Sequence, residues 1–154
     1  MPVQAAVRHA CTDRFGQMAG DILVAECPSS GYHGPMGAGR TTSVTILGGC
    51  GHVGLPLGLA LADSGLTVTL HDTNLAAVDS VRSGKMPHLE PGAPEVLQRT
   101  LADGRLSVSA DVSSVGRCEF LVVVIGTPID EHLNPDPQAV VEVLEDVADE
   151  LNDG

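Results

Sequence analysis

Residues 44–58 read VTILGGCGHVGLPLG, and the order of residue types in this stretch decides the fold. Residues 44–47 form a short apolar run, a buried-strand candidate, and Gly48-Gly49 end it. Gly49-Cys50-Gly51-His52-Val53-Gly54 then spells Gly-x-Gly-x-x-Gly. Alone this pattern is weak in a chain with 18 glycines. Its neighbours give it meaning, because a strand precedes it and a helix pattern follows. Residues 52–64 place Leu57, Ala60 and Leu61 on one helical face. Pro56 falls in the first turn, where a missing N–H costs nothing, and Gly65 ends the run.

Working outward, residues 66–71 read as a second strand and Asp72 closes it, 18 residues after Gly54. Residues 75–82 predict a short helix stopped by Gly84, and residues 85–94, with three prolines, a loop. Residues 95–102 are helical in pattern, 106–109 a third strand and 120–125 a fourth. The fourth is almost wholly apolar, as a central parallel strand covered on both faces must be. Asp136 and Pro137 make a helix start, followed by the stripe Val140, Val143, Leu144, Val147, Leu151. Strands alternating with helices give an α/β fold with a doubly wound parallel sheet, Rossmann-like. Such a sheet usually has six strands and only four are read here, so it is expected to be incomplete at its C-terminus.

Residues 1–42 show no sustained periodicity, and 28–42 are rich in Gly, Ser and Pro. A poorly ordered N-terminal extension is expected there, with residues 22–25 as a short strand or a turn of helix. Residues 43–154 are then a truncated dinucleotide-binding domain.

Composition narrows the partners. The net charge is −12, and residues 44–154 carry all of it, with 17 acids against five bases. No basic stripe exists, which argues against nucleic acid. No apolar run is long enough to span a membrane, and no secretory leader pattern opens the chain. Cys11, Cys27, Cys50 and Cys118 are scattered without a Cys-x-x-Cys, the pattern of a reduced, cytoplasmic protein with no metal site.

The glycine turn suits a dinucleotide. Gly49 permits the tight turn, Gly51 lets backbone approach a pyrophosphate, and Gly54 lets helix pack on strand. The N–H groups of His52 and Val53 face the anion at the positive end of the helix dipole. A carboxylate at Asp72 accepts hydrogen bonds from ribose hydroxyls and repels the extra phosphate of NADP. No Arg or Lys lies between Asp72 and Val81, so NAD is the expected cofactor. The fourth strand runs into Gly126-Thr127-Pro128 at the ligand-binding edge, which adds Thr127 as a cofactor contact. Cys50, in the turn, and Cys118, before a buried strand, read as structural, and His71 as a packing or surface residue.

Three stretches together resemble the nucleotide-sugar dehydrogenases that act on UDP-glucose, GDP-mannose and UDP-N-acetylmannosamine: GCGHVGLPLG at 49–58, EPGAPE at 90–95 and IGTPIDEHLNPD at 125–136. The resemblance covers residues 43–154, with the N-acetylmannosamine-type branch nearest. It implies an enzyme that oxidises a sugar C6 alcohol to a carboxylate in two NAD-dependent steps, through a cysteine thiohemiacetal and thioester. It also implies that the nucleophile and its lysine, asparagine and aspartate lie downstream, so no catalytic residue maps onto this chain. Thr127 matches the family threonine near the nicotinamide. The expected partners are NAD and, in a full enzyme, a UDP- or GDP-sugar, with self-association through the exposed sheet edge. Two other readings stay open: a non-catalytic NAD-binding module or partner subunit, and part of a 3-hydroxyacid-type dehydrogenase.

Overall fold

The structure, a computed structural model, describes residues 23–26, 42–126 and 138–152. The elements are β1 (Leu23–Glu26), β2 (Ser43–Leu47), α1 (Gly54–Asp63), β3 (Thr67–His71), α2 (Leu75–Arg82), α3 (Ala93–Ala102), β4 (Leu106–Ser109), a 3-10 turn (Val112–Arg117), β5 (Phe120–Val123) and α4 (Gln138–Asn152). One sheet runs in the order β1-β5-β2-β3-β4. The β2–β3, β2–β5 and β3–β4 pairs are parallel. β4-β3-β2-β5 thus reproduces the 3-2-1-4 half of the doubly wound order.

Alternation along the strands sorts the core into two layers. Val44, Ile46, Val68, Leu70 and Val122 face one way and pack with Leu55 and Leu59 of α1, Val78 and Val81 of α2, and Leu97 of α3. Leu47, Leu121 and Val123 face the other way, onto Val115 of the 3-10 turn and Val147 of α4. Side chains of successive strand residues point to opposite faces, so a sheet covered on both sides needs apolar residues in succession. β5, reading FLVV, meets that demand.

The helix ends follow local chemistry. α2 starts where the Asn74 side chain accepts the Ala77 N–H at 3.2 Å. α3 begins after Gly92 at φ +79° with a proline in its first turn, two residues earlier than the pattern predicts. α1 begins at Gly54 and not at 52, because the preceding residues belong to the glycine turn.

Two expectations change. The sheet has five strands, since β1 pairs antiparallel with β5, and it draws on residues on both sides of the 42/43 boundary. The β5 edge that the sequence leaves open is therefore occupied. The α4 stripe is also better covered than four strands suggest: Val147 is buried, with Val143 and Leu144 partly buried against the same cluster. The acids Glu145 and Asp146 of this helix are exposed. Among the described residues no helix is long and apolar enough to cross a membrane.

Close packing of α1 on the sheet rests on two glycines that differ in what they meet. A Cβ on Gly54 would lie 2.2 Å from the Gly48 carbonyl oxygen and 2.8 Å from Gly49 Cα, both backbone. A Cβ on Gly58 would lie 2.5 Å from Leu70 Cδ2, the end of a flexible side chain. Gly54→Ala is expected to cost about 3 kcal/mol or more and Gly58→Ala about 1–2 kcal/mol. Denaturant melts of the two variants read this ranking directly, and equal losses would contradict it.

Candidate functional site

The site grows from the junction of β2, the glycine turn and α1 at the carboxyl edge of the sheet. Gly48 takes φ +76°, a backbone state that glycine reaches without steric cost. A Cβ there would also strike the Val124 carbonyl oxygen at 2.6 Å. Gly48 N–H and Gly49 N–H both donate to the His71 carbonyl, at 2.9 and 3.0 Å. Cys50 N–H donates to Asp72 Oδ2 at 2.9 Å. Three consecutive turn amides are thus bound to the end of β3.

Gly51 N–H closes onto the Gly48 carbonyl at 3.2 Å and Leu55 N–H onto Gly51 at 3.1 Å. The N–H groups of His52, Val53 and Gly54 donate to no acceptor among the described residues. Val53 is the N-cap of α1 and has no side-chain cap. A helix start without a cap leaves donors for an anion, and the helix dipole adds to their pull. Gly51 has only the Gly48 oxygen, 3.3 Å away, near where a Cβ would stand. Gly49 is fully enclosed, its missing Cβ position 2.7 Å from Leu70 Cβ.

Asp72 is more than the terminal acid of a strand. Its Oδ1 accepts the Asn74 N–H at 2.9 Å while Oδ2 holds Cys50, so the carboxylate fixes both the turn and the start of α2. Each oxygen has a second lone pair left for a ligand hydroxyl. Arg82, just beyond the base-free run 72–81, donates to the Val108 carbonyl at 3.1 Å and pairs with Asp79 at 3.5 Å. It is held at the β4 side, with its charge still felt at Cys50.

The structure adds a residue that periodicity does not reveal. His88, in the loop before α3, places Nε2 3.1 Å from the Cys50 carbonyl. A carbonyl only accepts, so Nε2 carries the proton. The His88 ring stacks on His52, centroids 3.9 Å apart and planes 12° from parallel. The EPG loop is thereby fastened to the glycine turn, while its Leu89 is fully exposed. Nothing in the spacing of His52 and His88 signals this contact. Only His52 lies in a stretch that carries the resemblance, and His88 stands two residues before the EPGAPE stretch.

Of the residues expected at the site, Gly49, Gly51, His52, Val53, Gly54 and Asp72 converge at this junction. Thr127 lies outside the described residues. His71 is buried, its carbonyl serving the turn and its Nδ1 without a hydrogen-bond partner among the described residues. No group of three or more His, Cys, Asp or Glu positioned for a metal ion occurs among the described residues.

Cys50 is buried at 1% exposure, and Cys118 is buried too, its thiol donating to the Val115 carbonyl at 3.2 Å. Burial first, and then the Asp72 charge, push the Cys50 thiol up to about 12, against a small opposing pull from Arg82. The thiol is neutral at pH 7, when only a thiolate is a nucleophile. The unfolded chain ionises this thiol from about pH 9 and the fold holds its proton to about 12, so the residue costs stability as pH rises through that window. At pH 8 a thiol-specific disulfide reagent is expected to leave Cys50 unmodified until the chain is unfolded. Labelling of Cys50 in the native protein as fast as in the unfolded one, located by peptide mass mapping, would contradict this burial.

The match to known proteins covers the same region. Residues 42–154 match the model of the UDP-glucose/GDP-mannose dehydrogenase family, NAD binding domain. A UDP-glucose 6-dehydrogenase, YwqF, of Bacillus subtilis (strain 168) is 33% identical over 95 residues, which are 60% of this chain and 21% of that protein. A UDP-N-acetyl-D-glucosamine 6-dehydrogenase of Pseudomonas aeruginosa is 31% identical over 106 residues, 69% of this chain and 24% of that protein. Among solved structures, a UDP-glucose dehydrogenase from the hyperthermophilic archaeon Pyrobaculum islandicum superposes with a TM-score of 0.65 at 28% identity, over 76% of this chain and 27% of that one. The chain thus spans about a quarter of the length of these relatives. A glycine turn with open helix-start amides, an acid at the end of the second parallel strand and this match agree: the chain belongs to the UDP-glucose/GDP-mannose dehydrogenase family, as its NAD-binding domain.

Proposed function

We propose that this chain is the NAD-holding portion of a nucleotide-sugar 6-dehydrogenase, working on a UDP- or GDP-sugar whose C6 alcohol is oxidised to a carboxylate. The observation that carries the cofactor assignment is the set of open N–H groups at His52, Val53 and Gly54 beside the pinned Asp72 carboxylate. These groups fit the two halves of an adenosine diphosphate moiety. The amides hold the pyrophosphate, close backbone at Gly51 lets it approach, and Asp72 takes the ribose hydroxyls. NAD, when bound, supplies the hydride acceptor, and this chain's residues bind and orient it. Thr127, which matches the family threonine near the nicotinamide, is assigned a cofactor contact in this reading.

The two described cysteines do not carry covalent chemistry. Cys50 is enclosed and protonated, and Cys118 is buried in the cluster that holds Val115 and Leu121. The reading therefore assigns the thiol step to neither Cys50 nor Cys118. The names of the relatives, which span UDP-glucose, GDP-mannose and UDP-N-acetyl sugars, support the class of substrate without choosing one. Self-association is also part of the proposal, through the sheet edge beside β5 when that edge is free.

Calorimetric titration tests the cofactor assignment. The chain is expected to bind NAD at least about tenfold more tightly than NADP, because the Asp72 carboxylate repels a 2′-phosphate and a charged hydrogen bond is worth roughly 1.5–3 kcal/mol. Asp72→Asn, which keeps one acceptor oxygen for the turn, is expected to narrow that ratio mainly by weakening NAD. Equal affinity of the unaltered chain for the two cofactors would overturn the reading.

A further inference from the structure

β1 has no place in the parallel order of the sheet. A right-handed crossover through α4 would deliver the next parallel strand beside β5, on the side away from β2. In this chain β1 occupies that position and runs the opposite way, with Leu23 opposite Val123, Val24 opposite Val122, Ala25 opposite Leu121 and Glu26 opposite Phe120. β5 itself has none of the devices that protect an edge. It is FLVV, without charge, proline or bulge. Left open, it would present its backbone donors and acceptors to any other strand.

The antiparallel pairing of β1 shows which direction of strand this edge accepts. Two copies of β5 related by a twofold axis are also antiparallel, so a second copy of the chain satisfies the same geometry. We infer that Leu23–Glu26 is an edge guard, which closes the β5 edge in cis and keeps a second copy of the chain from pairing there.

The connection favours closure in cis. Glu26 and Val44 both lie opposite Phe120, on its two sides, so the chain between β1 and β2 bridges two strand spacings, about 10 Å. A stretch of the length of residues 27–42 reaches up to about 50 Å when extended, so chain length permits this pairing. A tethered strand on a link of this length acts at an effective concentration in the millimolar range, above any micromolar second copy. The guard therefore holds at ordinary protein concentrations and yields when its own pairing is lost. This inference stands apart from the cofactor reading, because it concerns the sheet edge and not the glycine turn.

The test uses the full chain. Val24→Pro with Ala25→Pro removes two consecutive strand donors, so at least one ladder bond to β5 is lost whichever way the strand faces. Light scattering behind size exclusion is expected to show a monomer for the unaltered chain and a dimer fraction rising with concentration for the double variant. Hydrogen exchange of the β5 amides in the diluted variant is expected to quicken by about tenfold or more while the β2–β3 ladder stays protected. A variant that remains monomeric with unaltered β5 protection overturns the guard, and so does an unaltered chain that is equally dimeric. Should the prolines unfold the chain, Val24→Cys with Val122→Cys decides the matter. Directly opposed antiparallel residues lie about 4.5–5.5 Å apart at Cα, within disulfide range. Mass mapping after mild oxidation is expected to find this link within one chain. A folded, oxidised protein that lacks it, or carries it between chains, refutes the placement.

Discussion

Three hydrogen bonds from consecutive amides of the glycine turn to the end of β3 hold the rest of the site in place. Gly48 and Gly49 share the His71 carbonyl, and Cys50 binds the Asp72 carboxylate. With these amides and that of Gly51 satisfied inside the protein, the N–H groups of His52, Val53 and Gly54 are left for a ligand. The turn thus divides its donors between fold and function at Gly51. The left-handed residue at Gly48 makes this division sterically accessible, and the contact of Gly54 with the Gly48 carbonyl brings α1 close enough to aim its first turn at the same spot.

The same bonds explain why Asp72 serves two purposes. A carboxylate at the end of β3 is available to a ribose only if its position is fixed, and the Cys50 and Asn74 amides fix it. A carboxylate has about four acceptor sites, and two internal bonds leave two. The enclosed Cys50 follows from this arrangement. Its backbone is tied on one side to Asp72 and on the other to His88, and its side chain turns into the core formed by the sheet and α1.

Much of this was legible in the sequence, for definable reasons. Residues 44–47 and 120–125 announce strands because a sheet covered on both faces demands apolar runs, and residues 66–71 do so by the alternation of Leu66, Val68 and Leu70 with Thr67 and Thr69. The glycine turn announces itself because its φ angle and close contacts exclude side chains. The 3-10 turn Val112–Arg117 was not legible, since VSSVGR has no helical period and its start depends on the Asp111 side chain accepting the Ser113 N–H. β1 was readable only as an undecided strand or helical turn. Four residues carry too little pattern, and pairing with β5 decides their state. The His52–His88 stack is a tertiary contact between two loops, and no local rule reports it.

The central claim is that the open amides at the start of α1, with Asp72 beside them, hold the cofactor. Titrating the isotopically labelled chain with NAD while following backbone amide resonances tests it most directly. The account predicts the largest shifts at His52, Val53 and Gly54, with smaller ones at Asp72 and Asn74 and little change in α4. Saturable NAD binding that leaves the His52 to Gly54 amides unmoved would contradict it.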